Sequence, residues 1–133
     1  MEWEIECVQG SDVDIGEVLD VYHSSGLGAR RPVADRERFA TMVRNANLIV
    51  VCRMEGRLVG VARSVSDFSY VTYLSDIAVA REYQRSGVGR ALIEATRQVA
   101  PAAKIVLLSA PAAAGYYPHI GFARHDSAWV LGP

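Results

Sequence analysis

Polar and apolar positions alternate at the start of the chain, where Trp3, Ile5 and Cys7 are interleaved with Glu2, Glu4 and Glu6. A period of two marks a half-buried strand, and its charged face suits a sheet edge. Gly10-Ser11-Asp12 interrupts it, and the period changes. Ile15, Val18, Leu19 and Tyr22 recur at helical spacing, with Asp12 or Asp14 as cap and Ser24-Ser25-Gly26-Leu27-Gly28 as stop. After a loop through Arg30-Arg31-Pro32, Asp35 opens a second amphipathic helix carrying Phe39, Met42, Val43 and Ala46. Leu48–Met54 reads as a continuous β-branched run, Glu55-Gly56 turns it, and residues 57–64 return as a hairpin partner. A loop at 66–69 leads to a strand over 70–79, YVTYLSDIAV, apolar on both faces apart from Ser75 and Asp76 and therefore central. Val88, Ala91, Leu92, Ala95 and Val99 mark a third helix, which Pro101 closes. A strand over 104–109, a short helix over 111–117 and a last strand over 122–131 complete the chain.

The order is β-α-α-β-β-β-α-β-α-β. The early hairpin implies antiparallel pairing. The later β-α-β, with a crossover of about two dozen residues, implies one right-handed parallel pair. The expected fold is α/β (α+β): a mixed, mostly antiparallel sheet with helices on both faces. The 133 residues, half of them hydrophobic, fit one domain spanning 1–133 with a substantial core. No repeat, linker or low-complexity tract is present.

The formal charge of −1 argues against a global field for nucleic acid. Cys7 and Cys52 lie in apolar strand-like runs and read as reduced core thiols; no neighbouring His or Cys completes a zinc spacing, so no metal is expected. The N-terminus lacks the basic and apolar regions of a signal peptide, and no run approaches the roughly 20 residues of a membrane span. The expectation is a cytoplasmic protein without a membrane partner.

One stretch resists a purely structural reading. Residues 81–95, REYQRSGVGRALIEA, put two glycines and three arginines at the mouth of a helix. Glycine costs a helix about 1 kcal/mol against alanine. The first amides of a helix have no partner within it, and the macrodipole makes that end positive. A strand, a Gly-rich turn and a helix therefore form an anion cradle, with Gly87 and Gly89 letting oxygens approach the backbone and Arg81, Arg85 and Arg90 adding attraction. A tight turn with solvated arginines would also account for the composition. Neither a P-loop nor a dinucleotide fingerprint fits: the first needs a Gly-Lys-Ser/Thr ending, and the second a small residue where Leu92 stands.

Residues 74–94, LSDIAVAREYQRSGVGRALIE, resemble the acyl-CoA site of the GNAT superfamily of acetyl-CoA-dependent N-acetyltransferases. Gln84-Arg85-Ser86-Gly87-Val88-Gly89 matches its Gln/Arg-x-x-Gly-x-Gly/Ala turn, and Tyr117-Pro118-His119-Ile120-Gly121-Phe122 its Tyr-x-x-x-Gly-Phe signature. The order of elements agrees along nearly the whole chain. The resemblance implies that the central strand and the one after it splay apart around the acyl donor, acetyl-CoA. It implies that main-chain amides from Arg85 through Ser86, Gly87, Val88 and Gly89 to Arg90 hold the CoA pyrophosphate. The main chain of Ile77, Ala78 and Val79 would pair with pantetheine, an amide at Ile77 or Ala78 polarising the thioester carbonyl. Tyr117 would contact the cofactor and donate to the departing thiolate. Two departures stand out: Pro118 follows that tyrosine, and Ala110 stands where many members place a pantetheine-binding asparagine.

The chemistry needs a neutral amine, whose proton must go to a base or to water. Asp76 is the candidate, because aspartate is disfavoured inside strands; pairing with a nearby arginine explains it equally well. His119 and His125 have suitable reference pKa values but read as solvated or structurally paired. Tyr116, about 100° from Tyr117 around a helix, is expected to point elsewhere. Tyr22, Phe68, Tyr70 and Tyr73 serve either an aromatic cleft or the core. Arg30 and Arg31 either meet an anionic acceptor group or are solvated. The expected activity is direct attack by a small-molecule primary amine on the thioester. The alternative is a non-catalytic acyl-CoA-binding module, and a nucleotide-binding domain is a further rival. A homodimer is compatible with the resemblance.

Overall fold

The computed structural model describes residues 2–133. Strand β1 (Glu4–Val8) lies at one sheet edge, its Ile5 opposite Cys52 of β2 (Leu48–Met54). Two helices intervene. Helix α1 (Ile15–Ser25) is capped by Asp14, whose carboxylate accepts from the Glu17 amide at 3.1 Å, and ends at Gly26. Helix α2 (Arg36–Asn45) is capped by Asp35, which accepts from the Arg38 amide at 3.0 Å. Each cap satisfies an amide that the helix itself leaves free, contributing about 1 kcal/mol. A 3₁₀ turn, Leu27–Arg30, fills part of the connection between them.

The hairpin forms as the pattern predicts: β2 pairs antiparallel with β3 (Arg57–Ser66), and β3 with β4 (Val71–Val79). Helix α3 (Val88–Val99) then crosses to β5 (Lys104–Val106), which pairs with β4 in parallel. The sheet order is β1-β2-β3-β4-β5. β2 shows why the sheet needs cover on both sides. Leu48, Val50 and Cys52 turn to α3, packing near Val88, Leu92 and Ile93, while Ile49 and Val51 turn to α1 and α2, near Tyr22 and Phe39. The apolar stretch Leu48–Cys52 is thus two alternating faces, each under a helix layer.

Four expectations need correction. Cys7 is exposed, because an edge strand has cover from only one neighbour; Cys52 is buried as expected. The strand expected over 104–109 holds its ladder only to Val106. The helix expected over 111–117 is a 3₁₀ turn, Pro111–Ala113, followed by a second, Tyr117–Ile120, with Pro118 at its start. Residues 122–131 form no strand. The polar run Arg124–Ser127 folds into a turn in which the Ser127 amide donates to His125 Nδ1, and the apolar remainder has no neighbour to complete a ladder. Trp129 and Leu131 are accordingly 92% and 99% exposed.

Candidate functional site

β4 and β5 share only the rungs from Val71↔Lys104 to Tyr73↔Val106. Beyond them the strands part, and a cleft of about 1160 Å³ opens. Ile77 and Val79 form one wall, Leu107 and Leu108 the other, with Gly87 and Gly89 at one end. The splay also explains why 107–109 fails as a strand: β4, the partner of Lys104–Val106, has moved away.

β4 carries a bulge where it parts. Arg63 of β3 stands opposite Asp76, and Ser64 opposite Leu74, so Ser75 is the extra residue. Beyond the bulge the backbone direction is fixed by one bond: the Ala80 amide donates to Val59 of β3 at 2.8 Å. Strand groups two residues apart point the same way. The main chain of Ala78 therefore faces β3, while that of Ile77 and Val79 faces the cleft. The Val79 carbonyl accepts from Gln84 Nε2 at 2.9 Å, on the side away from β3. Of the three residues expected to meet pantetheine, Ile77 and Val79 line the cleft, and Ala78 packs in the core under α1.

At the end of the cleft the chain makes its Gly-rich turn. Gly87 is the N-cap of α3, at φ +94°, and Arg85 stands at φ +63°. No side chain caps this helix. Among the described residues, none of the main-chain amides from Arg85 to Arg90 donates to a protein acceptor. A Cβ on Gly89 would project into the cleft, 3.8 Å from the Tyr116 hydroxyl and 3.9 Å from Val79. Val88 buries its side chain under the sheet and pins the turn. Gln84 braces it, donating also to the Ser25 carbonyl of α1 at 3.3 Å, and the Ser86 hydroxyl donates to the Tyr83 carbonyl. Arg85 and Arg90 line the cleft and form no ion pair among the described residues. Unpaired amides at a helix N-terminus, with two cations beside them, suit a polyanion.

Tyr117 is half-buried in the cleft wall, its ring edge-on to Phe122 at 5.4 Å between centroids. Burial first, and then the neighbouring Tyr116, push its phenol above the usual range. Tyr116 does not turn away as expected. The segment is not a continuous helix, and both tyrosines line the cleft with their rings 5.4 Å apart. Ala110 also lines it, with no polar group to offer. His119 and His125 are exposed and do not line it.

Asp76 occupies a different setting from the one a base needs. Its carboxylate is fully buried and stands outside the cleft lining. Oδ2 accepts from Tyr22 at 2.7 Å and from Arg63 Nε at 2.6 Å; Oδ1 accepts from Arg31 Nε at 2.6 Å and the Ser75 hydroxyl at 3.3 Å. Four donors fill the four lone-pair sites of a carboxylate. Burial favours the neutral acid, but the Arg63 charge and the hydrogen bonds from Arg63, Tyr22 and Arg31 outweigh it and hold the carboxyl below its ordinary range. Tyr22 is pushed up by burial and by the Asp76 charge. The arginine-pairing reading of Asp76 is the one this geometry matches. Arg63 and the Tyr22 hydroxyl were the missed members: an arginine within a buried strand was their one signal in the sequence.

A bulged, splayed strand pair with an amide turn at its open end defines an acyltransferase-type fold. Residues 18–130 match the Acetyltransferase (GNAT) domain family, and the chain belongs to that family. A GNAT-family acetyltransferase from Streptococcus pneumoniae superposes with a TM-score of 0.77 at 20% identity, covering 98% of each chain. An aminoglycoside acetyltransferase from an uncultured soil metagenomic sample, in complex with trehalose, has a TM-score of 0.71 at 18% identity, covering 98% of this chain and 95% of its own. An aminoglycoside N-acetyltransferase in complex with CoA has a TM-score of 0.72 at 13% identity, covering 99% and 95%. These likenesses show the fold. No curated protein matches the chain. No helix among the described residues is long and apolar enough to cross a membrane, and no group of His, Cys, Asp or Glu among them could hold a metal ion.

Proposed function

We propose that the protein transfers an acetyl group from acetyl-CoA to a small primary amine. The observation that carries this reading is the run of unpaired amides from Arg85 to Arg90 at the end of a cleft whose wall exposes strand main chain. The amides and Arg85 and Arg90 would hold the pyrophosphate, each hydrogen bond to a charged oxygen contributing about 1.5–3 kcal/mol. Ile77 and Val79 would meet pantetheine, and alternation favours the Ile77 amide over Ala78 as donor to the thioester oxygen.

In the reaction the amine nitrogen forms a bond to the acetyl carbon, the carbon–sulfur bond breaks, and the sulfur leaves with its electron pair. Tyr117 donates a hydrogen bond to that sulfur and keeps its proton, since burial raises the phenol further above a thiol in pKa. The amine proton passes to water, since Asp76 has no lone pair left for it. Asp76 positions the bulge instead.

Titration calorimetry should detect CoA binding, and acetyl-CoA should acetylate members of a primary-amine panel. Tyr117→Phe should lower kcat about a hundredfold while CoA still binds. CoA binding without turnover on any amine would favour a non-catalytic acyl-CoA-binding module. No CoA binding at all would overturn the proposal.

A further inference from the structure

We propose, building on the transfer reading above, that the acceptor amine also carries an anionic group, a carboxylate or phosphate, held by Arg30. Among the described residues four arginines line the cleft, and no aspartate or glutamate does. Three of the four are accounted for. Arg85 and Arg90 flank the amide turn. Arg31 donates to Asp76, to the Ser75 carbonyl and to the Arg30 carbonyl, the last two at 2.9 Å. Arg30 is exposed to the cleft and forms no ion pair among the described residues.

Its position separates it from the donor's phosphates. The 3₁₀ turn Leu27–Arg30 runs back along β4: Ser25 is tied to Gln84 near the end of the strand, and Arg31 to Ser75 at the bulge. Val79 lies four steps along the strand from Ser75, roughly 13 Å at the strand rise. Arg30 is thus anchored at the bulge end, where the strands part, and the amide turn lies at the other. The clasp of Arg31 on the Arg30 carbonyl holds the backbone of this cation in place. A polycationic acceptor would meet fixed positive charge and no carboxylate, an arrangement that selects against it. An amine bearing one anion would pair with Arg30 and present its nitrogen to the cleft.

The test compares kcat/KM, at low and high salt, for chain-length-matched amines: an amino carboxylate, a phosphorylated amino alcohol, an uncharged amine and spermidine. The anionic amines should exceed the uncharged one by about tenfold, with the advantage shrinking as salt rises, and spermidine should be poorest. The phosphorylated and carboxylate arms identify which anion is preferred. Arg30→Gln should bring the ratio of anionic to uncharged amine towards one through KM, and Arg30→Lys should keep part of it. Calorimetry with CoA verifies that each variant is folded. Wild-type preference for spermidine or the uncharged amine, or a ratio unmoved by Arg30→Gln, overturns this inference and leaves the transfer reading intact. CoA binding with no transfer to any amine overturns both.

Discussion

Gly87 shows how one residue carries both fold and site. Its φ of +94° is left-handed backbone, which costs a residue with a Cβ about 1–2 kcal/mol. That same turn aims the first amides of α3 at the cleft. Gly87→Ala should therefore lower stability by about 1 kcal/mol in urea denaturation and weaken CoA binding about tenfold by calorimetry, the loss of one charged hydrogen bond. Unchanged CoA affinity would mean that these amides do not hold the phosphates. The glycine spacing made this position legible in the sequence. The role of Asp76 was not: its oddness within a strand was visible, but its partners Tyr22, Arg31 and Arg63 are 54, 45 and 13 residues away.

At the scale of elements, the Asp76 network joins α1, the loop before α2, β3 and β4 at the bulge. Asp76→Asn would leave Arg63 and Arg31 without their counter-charge, and removing one partner of a buried pair costs about 3–5 kcal/mol. Denaturant titration should show a loss of that order. The pH dependence has a definite sign. Asp76 is depressed in the fold, so its contribution is present above the ordinary carboxylate value of about 3.9 and is lost as pH falls through the folded value. Tyr22 is raised, so its contribution is present below the ordinary phenol value of about 10 and fades as pH climbs above it. Stability should fall on both sides of that interval, and the acid limb should weaken in Asp76→Asn. The sequence showed α1, α2, α3, the hairpin and β4 well, because period, caps and turns are local. It failed at 107–109 and at 128–131, where apolar residues had the composition of a strand but no neighbouring chain to bond, at the polar run 124–127, which turns, and at 111–117, which is not a continuous helix.

Across the whole molecule, two helix layers close both faces of the sheet, and the cleft is the gap that this closure leaves between β4 and β5. A ligand filling that gap stabilises the native state alone. Acetyl-CoA at a hundredfold excess over its Kd should add about 2.7 kcal/mol, a rise in Tm on the order of 10 °C. ATP and NAD should not match it. Equal protection by either would indicate that the cleft takes a nucleotide instead.

The chain's own order of residues determined the periodicity of its elements, the crossover that makes one pair parallel, and the amide turn at the head of α3. Each depends on neighbours within a turn or two of backbone. Only the tertiary structure decided which face of β4 meets the cleft, which of its arginines is engaged and which form no ion pair among the described residues, and where a strand lacks a partner. Those are set by contacts between segments far apart along the chain, and charge and hydrogen-bond satisfaction are settled only once the segments meet.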